Sequence, residues 1–129
     1  MPVVVTAAET PLGRVVVERL RREGAEVRAV VGKPVTDLGV PTSLADWGDA
    51  ERLGAVLEGA HTVIHLAGRR RVPDLLAAAE GSGVVRIITT APHAALADAP
   101  YEVFVTVVRR WRPDLAEVAE ILVAADRRV

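Results

Sequence analysis

The sequence predicts an α/β fold: a three-layer sandwich in which a mostly parallel sheet of five to six strands carries helices on both faces. Three observations lead there. "PVVVT" (2–6) is a continuous β-branched run, as a strand buried on both faces is, and "EVRAVVG" (26–32), "HTVIHLAG" (61–68) and "VVRIITT" (84–90), rich in Val and Ile, read as further strands. Between them lie segments with apolar residues at helical spacing, so strands and helices alternate along the chain. Half of the residues are hydrophobic but only 3% are aromatic, so the core is built from Val, Leu, Ile and Ala. Alternation with short links implies right-handed crossovers and a parallel sheet.

The first strand, 2–6, runs into "PLGRVVVERLRREG", a helix with Pro11 in its first turn, Val15, Val16 and Leu20 on one face, and Gly24 as its stop. Strand 26–32 follows, then a loop with Pro34, Gly39 and Pro41 and a weak extended piece at 40–44. "DAERLGAVLEGA" (49–60) is the second helix, with Leu53, Val56 and Leu57 inward and Gly59 past its end. Strand 61–68 leads to a third helix in "VPDLLAAAEGSG" (72–83), and strand 84–90 to a loop or single helical turn at 91–100. "YEVFVTVVRR" (101–110) reads as a late strand at the sheet edge. The closing helix starts at Pro113 and Asp114 and turns Leu115, Val118, Ile121 and Leu122 to one face.

At 129 residues the chain has the length of one domain, 1–129. A formal net charge of -1 gives no global attraction to nucleic acid or an anionic membrane, and neither is expected as a partner. There is no cysteine, hence no disulfide framework and no thiolate chemistry, which fits a cytoplasmic protein. No apolar run approaches the length of a membrane span. In open parallel sheets, ligands bind beyond the carboxyl ends of the strands where the strand order reverses, so those loops carry the candidate site.

Four segments, taken in order, resemble the extended and atypical short-chain dehydrogenases of the epimerase and NmrA-like type. "VVVTAAETPLGRVVVERLRREGAEVRAVV" resembles that family's first strand–helix–strand unit with its T-G-x-x-G-x-x-G turn. "ADWGDAERLGAVLEGAHTVIHLAG" resembles its D-x-x-D-x-x-x-L helix and V-x-H-L-A strand, "DLLAAAEGSGVVRIITT" its N-L-L-x-A-A segment, and "RPDLAEVAEILVAADRR" its late helix. The resemblance implies a Rossmann-like fold binding NAD or NADP. It places the phosphates over Thr6, Ala7, Thr10, Leu12 and Gly13, the adenine near Asp46 and Trp47, and Ala67 and Gly68 beside the cofactor. Asp46 has two readings: acceptor for the adenine amino group, or helix cap.

The chain departs from this pattern where chemistry is concerned. Ala7 and Thr10 replace the first two glycines of the turn and only Gly13 survives. The first serves a tight turn, the second close approach to pyrophosphate, the third helix-to-strand packing, so the retained glycine is the one the fold needs. Glu9 lies in the same turn; a carboxylate about 5 Å from a phosphate charge costs roughly 3 kcal/mol at an effective dielectric near 20. The family's Tyr-x-x-x-Lys pair is missing: Tyr101 is followed four places on by Val105, and the only lysine is Lys33. Ala91 and Pro92 stand at the positions of the family's Ser or Thr, with Thr89 and Thr90 just before them.

Two arginine clusters, Arg69–Arg71 and Arg109–Arg112 around Trp111, follow strands and read either as phosphate or carboxylate forks or as solvated loops. His61 and His65 lie about 13 Å apart on an extended chain, too far for one metal. His65 reads as structural, and His93 as the one candidate base, without an acid or nucleophile beside it. Asp37, Asp46 and Asp49 match no cation-loop spacing. No metal and no catalytic set is expected. The leading functional expectation is a non-catalytic Rossmann protein that binds NAD(P) or another nucleotide weakly or not at all, as a sensor or regulatory subunit. Two alternatives accompany it: an interaction module partnering a complete dehydrogenase, with no ligand of its own, and a small NAD(P)-dependent oxidoreductase using His93 or Thr90; a homo-oligomer is the other expected association.

Overall fold

The computed structural model describes residues 2–108 and 114–127. It holds a six-stranded parallel sheet in the order β3-β2-β1-β4-β5-β6, flanked by four α-helices. The strands are β1 (Val3–Thr6), β2 (Val27–Val31), β3 (Thr42–Leu44), β4 (Thr62–His65), β5 (Arg86–Thr89) and β6 (Glu102–Val105). The helices are α1 (Pro11–Arg22), α2 (Ala50–Leu57), α3 (Val72–Ala79) and α4 (Leu115–Arg127). The fold is Rossmann-like, as the alternation of strands and helices predicts. Every pairing is parallel, and the order reverses between β1 and β4, so the crevice for a ligand opens at the carboxyl ends of these two strands.

Successive residues of a strand face opposite sides, and β1 uses both. Val3 and Val5 meet Val16 and Leu20 of α1 and Leu122 of α4 in one core layer. Val4 joins Leu57 of α2, Leu75 of α3 and Ile87 of β5 in the other. All four residues of β1 are buried, which accounts for a run with no polar alternation.

The predicted elements are present with shorter bounds. Strand 61–68 ends at His65, because the chain turns at Gly68, whose φ is 95°. The late strand stops at Val105, and its predicted end at 109–110 lies outside the described residues, as does the cluster Arg109–Arg112 with Trp111. The weak extended piece at 40–44 is β3, on one edge of the sheet; β6 forms the other. Helix α4 packs on α1 and β5, leaving Val105 of the edge strand exposed. Among the described residues no helix is long and apolar enough to cross a membrane.

Helix α1 shows how the sequence sets an element. Thr10 caps its N-terminus, Pro11 occupies the first turn, and Arg19, Arg21 and Arg22 lie in the last turn, where cations complement the helix dipole. Gly13, Val16, Val17 and Leu20 form its buried stripe. At Gly13 a Cβ would stand 2.6 Å from the Ala8 Cα and closer still to the Ala7 carbonyl oxygen. Both are backbone atoms that cannot yield without moving the strand. Gly13→Ala is therefore expected to destabilise the protein by about 3 kcal/mol, as overpacking against rigid backbone does. Chemical denaturation of the variant checks this.

Candidate functional site

The candidate site is the carboxyl edge over β2, β1 and β4. The turn leaving β1 keeps the backbone of a glycine turn without the glycine: Ala7 has φ 51°, the left-handed region. That conformation costs an L-residue roughly 1–2 kcal/mol. It is held by two bonds to the Ala7 carbonyl, from the Thr10 amide at 3.1 Å and the Thr10 hydroxyl at 2.7 Å.

Thr10 then determines what the helix end offers. Its Oγ1 accepts from the Gly13 amide at 3.1 Å, the bond that caps α1. Pro11 has no N–H. Two of the first three helical positions thus have no free amide for an anion, and Leu12, partly buried against the core, stands between them. A ready-made anion seat needs those amides.

Glu9 turns away from this seat. Its carboxylate oxygens accept from the Gly32 amide at 3.0 and 3.1 Å, so the charge sits over the end of β2. Arg14 steadies the turn from the other side. Its Nε donates to the Glu9 carbonyl at 3.0 Å, and its guanidinium pairs with Asp37 at 3.0 Å.

At the switch point Thr6 and His65 join the two strands. The Thr6 hydroxyl accepts from the Leu66 amide at 2.9 Å and the Ala67 amide at 3.2 Å, which uses both of its lone pairs. Its own proton is therefore donated to His65 Nδ1, 3.0 Å away. The neutral imidazole carries its proton on Nε2, which donates to the Gly68 carbonyl at 2.8 Å. Both residues are fully buried, and burial pushes the His65 pKa down although the Gly68 bond opposes it. His65 is structural, as expected from the sequence.

Trp47 packs edge-on against His65, ring centres 5.8 Å apart at 84°. Arg71 lies 5.9 Å over the Trp47 ring and 3.5 Å from Asp74. One arginine of the first cluster thus has aromatic and acidic partners, while the Arg69 and Arg70 residues are exposed in the 3-10 turn after β4. The cap of α2 is Asp49, which accepts from the Arg52 amide at 3.0 Å. The capping reading of Asp46 is accordingly replaced: it is exposed and lies three residues before the cap, beyond the carboxyl end of β3.

All nine residues expected around a cofactor therefore lie at the same edge. Thr6 ends β1 and Ala7, Thr10, Leu12 and Gly13 follow it, Asp46 and Trp47 follow β3, and Ala67 and Gly68 follow β4. Of the candidate reaction residues, Thr89, Thr90 and His93 lie at or just beyond the carboxyl end of β5, whereas Tyr101 does not. Tyr101 precedes β6 and so sits at the amino edge of the parallel sheet, where burial and the charge of Glu80 push its pKa up. His93 Nδ1 accepts from the Ala95 amide at 3.0 Å, capping a 3-10 turn at Ala94–Leu96. The Thr89 hydroxyl donates to the His65 carbonyl and accepts from the Ala91 amide, each at 3.0 Å. Among the described residues no three His, Asp or Glu side chains are grouped to hold a metal.

Sequence reasoning missed a second buried polar group, at the amino edge. Arg86, 4% exposed at the start of β5, pairs with Glu102 at 3.2 Å and with Asp126 of α4 through its carboxylate and its backbone carbonyl. Thr62 donates to the same Asp126 carboxylate at 2.6 Å. The available signal was an arginine opening an otherwise apolar strand.

No family model matches the chain, and no curated protein matches its sequence. Solved structures do match. Over 69% of this chain, MoeE5 in complex with UDP-glucuronic acid and NAD is 26% identical with a TM-score of 0.61. Uronate dehydrogenase from Agrobacterium tumefaciens is 27% identical over 69%, with a TM-score of 0.60. The chain spans only 36% and 40% of those two proteins. A Rossmann-fold NAD(P)-binding family protein from Shigella flexneri aligns over 98% of this chain and 86% of its own, with a TM-score of 0.74 at 13% identity. The fold is thus a Rossmann fold, similar to that of MoeE5 and uronate dehydrogenase.

The His65 network makes a pH prediction. Because its folded pKa lies below the unfolded value of 6.5, the stability it contributes is present above pH 6.5 and is lost as pH falls through the folded pKa. The melting temperature should fall as the pH is lowered from 6.5. His65→Gln should be less stable at neutral pH and flatter across that window. An equal slope in both proteins contradicts the assignment.

Proposed function

We propose that this chain is a weak binder of an NAD(P)-type dinucleotide, performs no hydride transfer itself, and acts as a sensor or regulatory subunit. The observation that carries the reading is the β1–α1 turn, which keeps its nucleotide-binding shape while Thr10 occupies the Gly13 amide. The adenosine half of the crevice fits: Asp46 is available to accept from an adenine amino group, and the end of β2 is lined by carboxylate and backbone. The diphosphate half has lost donors, and the Cβ atoms of Ala7 and Thr10 stand where the backbone would approach the phosphates. Glu9 lies over β2 and opposes a diphosphate less than a carboxylate aimed at the seat does.

A bound nicotinamide supplies hydride chemistry, which also needs a placed acid or base. Tyr101 is at the opposite edge with its pKa raised, Thr89 is buried in backbone bonds, and His93 is spent on a cap. The NAD complex of MoeE5 and the Rossmann match from Shigella flexneri support the dinucleotide over other ligands.

Titration of the protein with NADH should give a dissociation constant on the order of 1 mM, roughly 4 kcal/mol of binding. Thr10→Gly frees the Gly13 amide and removes a Cβ, so it should tighten NADH about tenfold, one charge-assisted hydrogen bond. A glycine cap itself costs only a few tenths of a kcal/mol in stability, and loss of the Thr10 hydroxyl bond to the Ala7 carbonyl adds about 1 kcal/mol. Absence of NADH binding to both proteins at several millimolar, on the order of −4 kcal/mol or weaker, refutes the reading.

A further inference from the structure

We infer that Glu9, a residue of the β1–α1 turn, is the group that reads the adenosine ribose at the end of β2, and that it selects a free 2′-hydroxyl over a 2′-phosphate. The inference rests on the dinucleotide reading above.

Dinucleotide-binding sheets meet the ribose with an acidic side chain about 20 residues beyond the phosphate turn, at the end of the second strand. Here that place is taken by Gly32 and Lys33, neither of which is acidic. The carboxylate arrives from another direction. Both Glu9 oxygens lie 3.0 and 3.1 Å from the Gly32 amide. A Cβ built on Gly32 would stand 3.6 Å from Glu9 Oε1. The turn's carboxylate therefore sits at the root of the side chain that β2 does not have.

One N–H occupies little of a carboxylate, which has about four lone-pair positions. The remainder face the exposed edge, where Gly32 and Lys33 are open to solvent. A ribose hydroxyl can donate to them, whereas a 2′-phosphate brings like charge against the same oxygens. Two cations oppose this preference. Arg14 is already engaged by the Glu9 carbonyl and the Asp37 carboxylate. Lys33, exposed beside Gly32, is the group that would favour a phosphate once Glu9 is neutral.

The test compares NADH and NADPH binding by calorimetry for the wild type, Glu9→Gln, and Glu9→Ala combined with Gly32→Asp. Gln retains an oxygen to accept from the Gly32 amide but carries no charge. Position 32 is not among the glycines with positive φ, so an aspartate is accommodated there. The wild type should prefer NADH about tenfold, as expected of partly screened like charges. Glu9→Gln should remove that preference by strengthening NADPH, and the double variant should restore it. Equal or tighter NADPH binding by the wild type, or an unchanged ratio in Glu9→Gln, overturns the role of Glu9 while leaving dinucleotide binding intact. Binding of neither nucleotide to any of the three proteins overturns both.

Discussion

Helix α1 begins so close to the end of β1 that position 13 has no room for a Cβ, and the site geometry follows from that approach. It forces the chain to reverse within residues 7–10 and puts Ala7 into the left-handed region, where Thr10 holds it by two bonds to one carbonyl. The same hydroxyl then accepts from Gly13. A single side chain thus stabilises the strained turn and caps the helix, and in doing so occupies an amide that glycine at position 10 would leave open to an anion. Stability of the turn and strength of the phosphate seat compete for the same hydrogen bond.

Two polar clusters, one at each end of the sheet, keep the strands in place around this turn. At the carboxyl end, Thr6 and His65 join β1 to the loop after β4, with every lone pair and proton of the threonine hydroxyl assigned. At the amino end, Arg86 and Thr62 hold Asp126, so α4 is tied to β4 and β5 by charge as well as by Leu122 and Val123 in the core. A buried arginine is tolerable only when paired and hydrogen-bonded, and both Glu102 and Asp126 serve it.

The fold was legible because the four central strands are short and rich in Val and Ile, and α1 and α2 carry their own stops, Gly24 and Gly59, both at φ 78°. The loss of two glycines was also legible, since Gly13 alone survives in a turn whose three positions have separate physical duties. The direction of the Glu9 side chain was not. Nothing in "TAAETPLG" says that its carboxylate crosses to Gly32, because that contact spans 23 residues and depends on β1 pairing with β2. Asp46 and Asp49 show a similar limit: both can cap a helix by composition, and only the helix start at Ala50 decides between them. The Arg86 cluster joins three elements distant in sequence, so spacing could not reveal it.

The central claim is that the carboxyl-edge crevice, and no other surface, receives a dinucleotide whose diphosphate is poorly held. Amide chemical shifts of uniformly labelled protein titrated with NADH test it most directly. Progressive shifts are expected at Leu12, Gly13, Gly32 and Asp46, still unsaturated at ligand concentrations on the order of 1 mM. Tyr101 and Glu102, at the opposite edge, should not move. Shifts confined to the surface between α1 and α4, or none at all, would contradict it.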